Sequence, residues 1–323
     1  MKSGRGLRHC YELCQGARTV AYFSLNPQDG LYRMQTSPAK RACVRGFALI
    51  DLLFLVVILA ALAAVFSSVP ERLRERTHIT IDLNNLRQIL HASALYSNEN
   101  NDHLAYPTWG GDLTGPDGWA YLTSKNGREI PGATMNVPGS CAGRDVNTPQ
   151  FTNQLAYFKV GQVSQYLPGV ETAWCPKDVA TRGPEARLRQ AWLGRPVKVT
   201  SYSWNGTTAG VVGKPGQNVP VGKTYKISQF LPTDWQMWEA NDADAFNFND
   251  AAVNPEQVDI FSKRHAGLKA WWTFTSARRN LPGGAVVGVF GGSAQFVRWS
   301  KIYDLNSRKI ASPNEILNGP GYR

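Results

Sequence analysis

From Phe47 to Phe66 the chain reads FALIDLLFLVVILAALAAVF, 20 residues carrying a single charge, Asp51. As an α-helix rising about 1.5 Å per residue, such a run is roughly 30 Å long, the thickness of a bilayer's hydrocarbon core. Three readings compete: a retained membrane helix, a cleaved secretory signal and a buried core helix. A signal's apolar region is about 7 to 15 residues long and ends in small residues, which AALAA at 60–64 would supply. A core helix apolar on every side is out of scale with 323 residues. The length predicts a retained membrane helix, with the cleaved signal as its rival.

The charge distribution favours a membrane helix. The formal net charge of +11 invites a nucleic-acid partner, so its location matters. Eight basic residues (Lys2, Arg5, Arg8, Arg18, Arg33, Lys40, Arg41 and Arg45) stand against Glu12 and Asp29 before position 47, and the remaining 277 residues carry only +5. An excess of Lys and Arg on one flank of an apolar helix marks its cytoplasmic end.

Beyond the run, PERLRERTHITIDLNNLRQILHASALYSNENND (70–102) places Leu73, Leu83, Leu86, Ile89, Leu90 and Leu95 at spacings of three, four and seven between polar residues. The spacing predicts that the helix continues as an amphipathic one. Pro70 predicts a kink or short break, and NENND an end. The division is thus 1–46, an apolar helix at 47–66, an amphipathic continuation at 67–101, and a β-rich domain at 102–323. In the last part, β-like stretches fall at 155–160, 197–204, 224–230, 235–239, 285–290 and 294–299. AVVGVFGGSAQFVRW predicts a hairpin turning at Gly291-Gly292. Residues 1–33 show no helix or strand pattern.

Gly46-Phe47-Ala48-Leu49-Ile50-Asp51 resembles the cleavage and methylation signal of type IV prepilins and type II secretion pseudopilins. In that family the fifth mature residue is normally glutamate, where this chain has Asp51. Further blocks are similar to segments of pseudopilin-like proteins: Asn84–Ile89, Tyr96–Asn101 with Pro107, Trp174-Cys175-Pro176-Lys177-Asp178, and Ser201–Asn205. Arg264-His265 followed by Val287–Phe296 resembles their closing hairpin, with Gly291 where the family has aspartate and an insertion at 268–281. The resemblance implies a pilin-like α+β fold, a long N-terminal helix packed on an antiparallel sheet with long loops. It implies that prepilin peptidase cuts after Gly46 and N-methylates Phe47. It also implies a non-enzymatic subunit of a secretion or pilus-like filament in the inner membrane, its N-terminus cytoplasmic and its domain outside. Its partners would be other pilin-like subunits, an assembly platform and the lipid bilayer. In that setting Asp51 would pair with the Phe47 amine of a neighbouring subunit and set register; the alternative is an unpaired aspartate at the cytoplasmic interface. Met34 offers a second start, which would shorten the leader to 13 residues.

Cys141 and Cys175 are the two cysteines after position 46, a candidate disulfide or two separate thiols. Asp242, Asp244, Asn247, Asn249 and Asp250 offer oxygens of the kind calcium takes, but an EF-hand register from Asp242 fails at Asn247 and Val253, which leaves a solvated loop as the other reading. No other cofactor is indicated. His265, beside Lys263 and Arg264, has no histidine cluster around it and reads as a hydrogen-bonded structural histidine. All ten tryptophans lie at or after Trp109, so a membrane-anchored module binding polysaccharide, or single-stranded nucleic acid through Trp271, Trp272, Arg278 and Arg279, is the alternative function. Exposed rings would favour that alternative, and buried rings a structural subunit.

Overall fold

The computed structural model describes residues 20–25, 32–37, 49–67, 71–108, 115–210, 219–257, 259–265 and 279–322. The chain divides into two units, Met1–Ser68 and Val69–Arg323.

In the first unit, β1 (Val20–Leu25) pairs antiparallel with β2 (Tyr32–Ser37), Val20 opposite Ser37 and Leu25 opposite Tyr32. This corrects the expectation of no element over 1–33. VAYFSL and YRMQTS carry aromatic and β-branched residues on either side of Asn-Pro-Gln-Asp-Gly, a turn-forming sequence. Helix α1 (Leu49–Ser67) covers most of the apolar run. Its described side chains, Ile50 and Leu52–Leu62, are exposed. Among the described residues no helix is long and apolar enough to cross a membrane. Gly46, Phe47 and the expected break at Pro70 lie outside the described residues.

The second unit opens with α2 (Glu71–Glu99). Its buried side is Asp82, Leu86, Ile89, Leu90, Ser93 and Ser97, with Ile79 and Leu83 packed at the margin. Leu73 and Leu95, assigned to the same face by spacing alone, are each 50 % exposed. At about 100° per residue Leu95 points roughly opposite to Leu86, and Asp82, expected among the polar positions, is instead fully buried.

Next come α3 (Pro149–Lys159), α4 (Pro176–Ala180) and α5 (Arg189–Gly194). The α3 helix replaces the expected strand at 155–160. Thr148 caps it by accepting from the Phe151 amide, and Pro149 sits in the first turn, where its missing N–H costs nothing. The expected strand at 224–230 is instead a 3₁₀ turn, Ile227–Gln229, with one isolated bridge from Lys226 to His103.

The sheet comprises β3 (Tyr202–Asn205), β4 (Trp235–Glu239), β5 (Ala252–Val253), β6 (Gly284–Val289) and β7 (Ala294–Arg298), in the order β5-β3-β4-β6-β7. It is mixed rather than antiparallel, because two-residue β5 returns to the edge in the same direction as β3 and pairs with it in parallel. The β6–β7 hairpin turns at Gly291-Gly292 as expected, with Gly292 in the left-handed region at φ 81°. Arg298 ends β7 and α6 (Trp299–Arg308) follows directly.

Strand alternation, shifted in β4 by a register irregularity between Trp235 and Met237, splits the core into two layers. Tyr202, Trp204, Met237 and Val286 join Leu86, Ile89 and Leu90 of α2 on one side. Trp235, Trp238, Val287 and Val297 join Trp299, Ile302 and Leu305 of α6 on the other. The described part is therefore α+β, with a helix on each face of the sheet. At Gly288 the helix leaves no room for a side chain: a Cβ there would lie 2.9 Å from Leu90 Cδ1 and 3.2 Å from Leu86 Cγ.

Candidate functional site

Where α2 crosses the sheet, the core becomes polar. Asp82 from α2, Glu239 at the end of β4, Cys175 ahead of α4 and His265 are all at most 2 % exposed. His265 Nε2 lies 2.9 Å from Asp82 Oδ2, 3.3 Å from Glu239 Oε1 and 3.8 Å from Cys175 Sγ. Its Nδ1 lies 2.5 Å from Glu75 Oε1, and Glu75 in turn accepts from Lys177 Nζ at 2.8 Å. The Cys175 thiol donates to Asp82 Oδ2 at 3.1 Å, and the Tyr202 hydroxyl to Asp82 Oδ1 at 2.7 Å. Glu239 Oε2 accepts the Val286 amide at 2.9 Å. Such buried polar groups persist only when partnered.

Further buried charges adjoin these four residues. Arg264 places Nε 3.2 Å from Asp242 Oδ2, Nη1 3.4 Å from Glu239 Oε1 and Nη2 3.6 Å from Asp178 Oδ1. Asp178 is also forked by Arg195 and accepts from Ser201 Oγ at 2.7 Å.

These surroundings move the protons. Burial pushes the Cys175 thiol up to about 12. Burial, reinforced by the Glu239 charge, raises the Asp82 carboxyl. Burial alone would lower His265, yet Glu239 and Asp82 hold it well above the ordinary imidazole range. Burial would likewise raise Asp178, but the charges of Arg195 and Arg264 keep it below the usual carboxylate range.

Of the residues singled out in the sequence, His265 and Cys175 meet here. The Cys141–Cys175 disulfide is not formed: both are free, buried thiols. Cys175 Sγ faces Asp82 and His265, while the Cys141 amide bonds Pro196 O at 2.8 Å and burial pushes its thiol up to about 11. The five calcium candidates do not converge. Asp242 is committed to Arg264, Asp244 caps the 3₁₀ turn Ala245–Phe248, and Asp250 Oδ1 accepts the Ala252 amide. Asn247, Asn249 and Asp250 line a shallow surface cleft with Phe246. Gly291 and Gly292 sit at one end of β6, whereas His265 bridges Gly284 at the other, so the closing motif is not one site. Asp51 lies in α1, and its side chain is outside what the structure describes, as are Trp109, Trp271, Trp272 and Arg278. Arg279 pairs with Asp304 at 3.0 Å. Among the described residues no tryptophan is exposed: Trp119, Trp192, Trp204, Trp235, Trp238 and Trp299 are buried and Trp174 is half-buried.

The residues that sequence reasoning missed are Glu75, Asp82 and Glu239. Asp82 and Glu239 carried a weak signal, a carboxylate in an apolar register: Asp82 on the Ile79/Leu83/Leu86 stripe, and Glu239 closing the strand WQMWE; Glu75, in the charged run ERLRER, carried none. A search for a histidine cluster passes over them because their partner is a single imidazole. No protein-family model, curated protein or solved structure matches the chain.

Proposed function

We propose that this chain is a non-enzymatic pilin-like subunit, a pseudopilin or minor pilin. On this reading it is inserted by α1 with its N-terminus cytoplasmic and its Val69–Arg323 unit outside, and is processed at Gly46-Phe47 by prepilin peptidase before joining a filament. The observation that carries the reading is a convergence. Cys175 and Asp178, Ser201 and Tyr202, and Arg264 and His265 come from three blocks that resemble pseudopilin-like sequences, and they assemble into one buried network. Tyr202 and His265 close it on Asp82 of α2. The Cys175 and His265 blocks lie 90 residues apart in sequence and meet in the fold, which supports reading them as parts of one pattern. An amphipathic helix seated on a hairpin-edged sheet is what a filament subunit needs, since the apolar segment ahead of it can pack with its copies while the sheet displays loops outward.

Mass measurement of the N-terminus of the membrane-extracted protein tests the proposal. N-methylated Phe47 as the first residue is expected. A first residue near 65 would make the apolar run a cleaved signal, and an uncut leader would remove prepilin processing.

A further inference from the structure

The geometry points to a four-ligand structural zinc site formed by Asp82, Cys175, Glu239 and His265, clamping α2 to the sheet. One ligand atom from each of the four lies within 4.8 Å of the others. The closest separations are 2.9 Å between His265 Nε2 and Asp82 Oδ2, 3.1 Å between Cys175 Sγ and Asp82 Oδ2, 3.3 Å from Nε2 to Glu239 Oε1, and 3.8 Å from Nε2 to Sγ. In a tetrahedral zinc site with bonds of about 2.0–2.3 Å, donors stand about 3.3–3.8 Å apart. The widest separation, within 4.8 Å, exceeds that by up to about 1 Å, so side-chain movements of up to about 1 Å would bring the four onto one ion.

Hydrogen bonding alone serves this arrangement poorly. Nε2 carries at most one proton, yet Asp82 Oδ2, Glu239 Oε1 and Cys175 Sγ all face it. Arg264 Nη1, at 3.4 Å, reaches Glu239 Oε1 only at long range. One dication at the centre answers every donor at once. Binding would displace the Cys175 thiol proton and the Nε2 proton to solvent, leaving thiolate and neutral imidazole as ligands.

The outer contacts are those a metal site requires. Glu75 Oε1 holds His265 Nδ1, the carboxylate–histidine arrangement that fixes a ligating ring, while Tyr202 and the Val286 amide hold the second oxygens of Asp82 and Glu239. Sulfur and imidazole donors select zinc over calcium or magnesium. With all four ligands buried there is no open coordination position, so the ion would be structural. It would join segments up to 183 residues apart.

The test uses the full-length chain purified in detergent. Elemental analysis after dialysis is expected to find about one zinc per chain. Stripping with a chelator should lower the melting temperature, and zinc chloride, but not calcium or magnesium chloride, should restore it. Cobalt chloride added to the stripped protein should give the intense visible bands of tetrahedral cobalt and a thiolate charge-transfer band, absent in Cys175→Ser and retained in Cys141→Ser. Glu75→Gln, outside the ligand set, should weaken zinc binding about 10- to 100-fold while the fold is kept. Wild-type protein that takes up neither zinc nor cobalt, with a melting temperature indifferent to chelator, would overturn the proposal. So would a thiolate band that follows Cys141 instead of Cys175. If Cys175→Ser does not fold, the wild-type cobalt titration decides alone.

Discussion

Arg195 grips Asp178 at two points, Nη1 to Oδ2 at 2.9 Å and Nη2 to Oδ1 at 2.8 Å, with both side chains at most 2 % exposed. The fork is buried, and Ser201 and Arg264 complete the carboxylate's surroundings. Neutralising Asp178 would strand the Arg195 guanidinium without water, whereas Arg264 keeps Asp242 and Glu239. Asp178→Asn should therefore cost about 3–5 kcal/mol, read as a lower urea midpoint, and the paired change Asp178→Leu with Arg195→Met should recover much of it. A loss below about 1 kcal/mol in the single variant would show the pair to be no stronger than a surface bridge.

Gly288 is required by the helix above it and not by its own backbone. A Cβ would enter the space of Leu90 and Leu86, and a branched side chain would push α2 off β6. Gly288→Val should destabilise by about 1–3 kcal/mol, and Gly288→Ala by less. Combining Gly288→Val with Leu90→Ala should cost less than the two changes separately, because the truncated leucine vacates the contested volume. Strict additivity in denaturant midpoints would place the strain elsewhere.

Much of this architecture was legible from periodicity and turn chemistry. The strand at 235–239 and the hairpin at Gly291-Gly292 follow from aromatic and β-branched runs around glycines. The α3 helix did not, because its apolar run also fits a strand, and only Thr148-Pro149 told them apart. The network was hidden for a different reason. Apolar patterning identifies which face of a helix is buried, but a buried Asp82 or Glu239 looks like a break in the pattern until its partner, some 180 or 26 positions away, is brought beside it. Cys175 invited pairing with the other cysteine, whereas its surroundings offered a carboxylate and an imidazole instead.

On the proposed function, Asp51 supplies the negative charge met by the Phe47 amine of the next subunit. Asp51→Glu should keep filament incorporation, since it restores the family's longer carboxylate. Asp51→Ala should lose it while membrane insertion and cleavage after Gly46 continue. Crosslinked ladders from intact cells would report incorporation, and an alanine variant that assembles like wild type would remove the role.

Lys309 offers a pH test independent of the network. Its ammonium is 1 % exposed, donates to Asn306 Oδ1 at 2.7 Å and to Gln257 O, and burial, only partly offset by the Glu256 charge, lowers it to about 7 from the usual 10.5. Below pH 7 it is protonated in both folded and unfolded chains, so its contribution is flat and unfavourable. Between about 7 and 10.5 the unfolded chain holds the proton that the folded one has released, so stability rises with pH, by up to about 1.4 kcal/mol per unit from this group. Lys309→Met should remove that rise without altering the remaining slope. The measurable quantity is the difference between wild-type and variant unfolding free energies at pH 7, 8 and 9: it should grow in the wild type's favour as pH increases, and parallel curves would show that Lys309 stays charged in the fold.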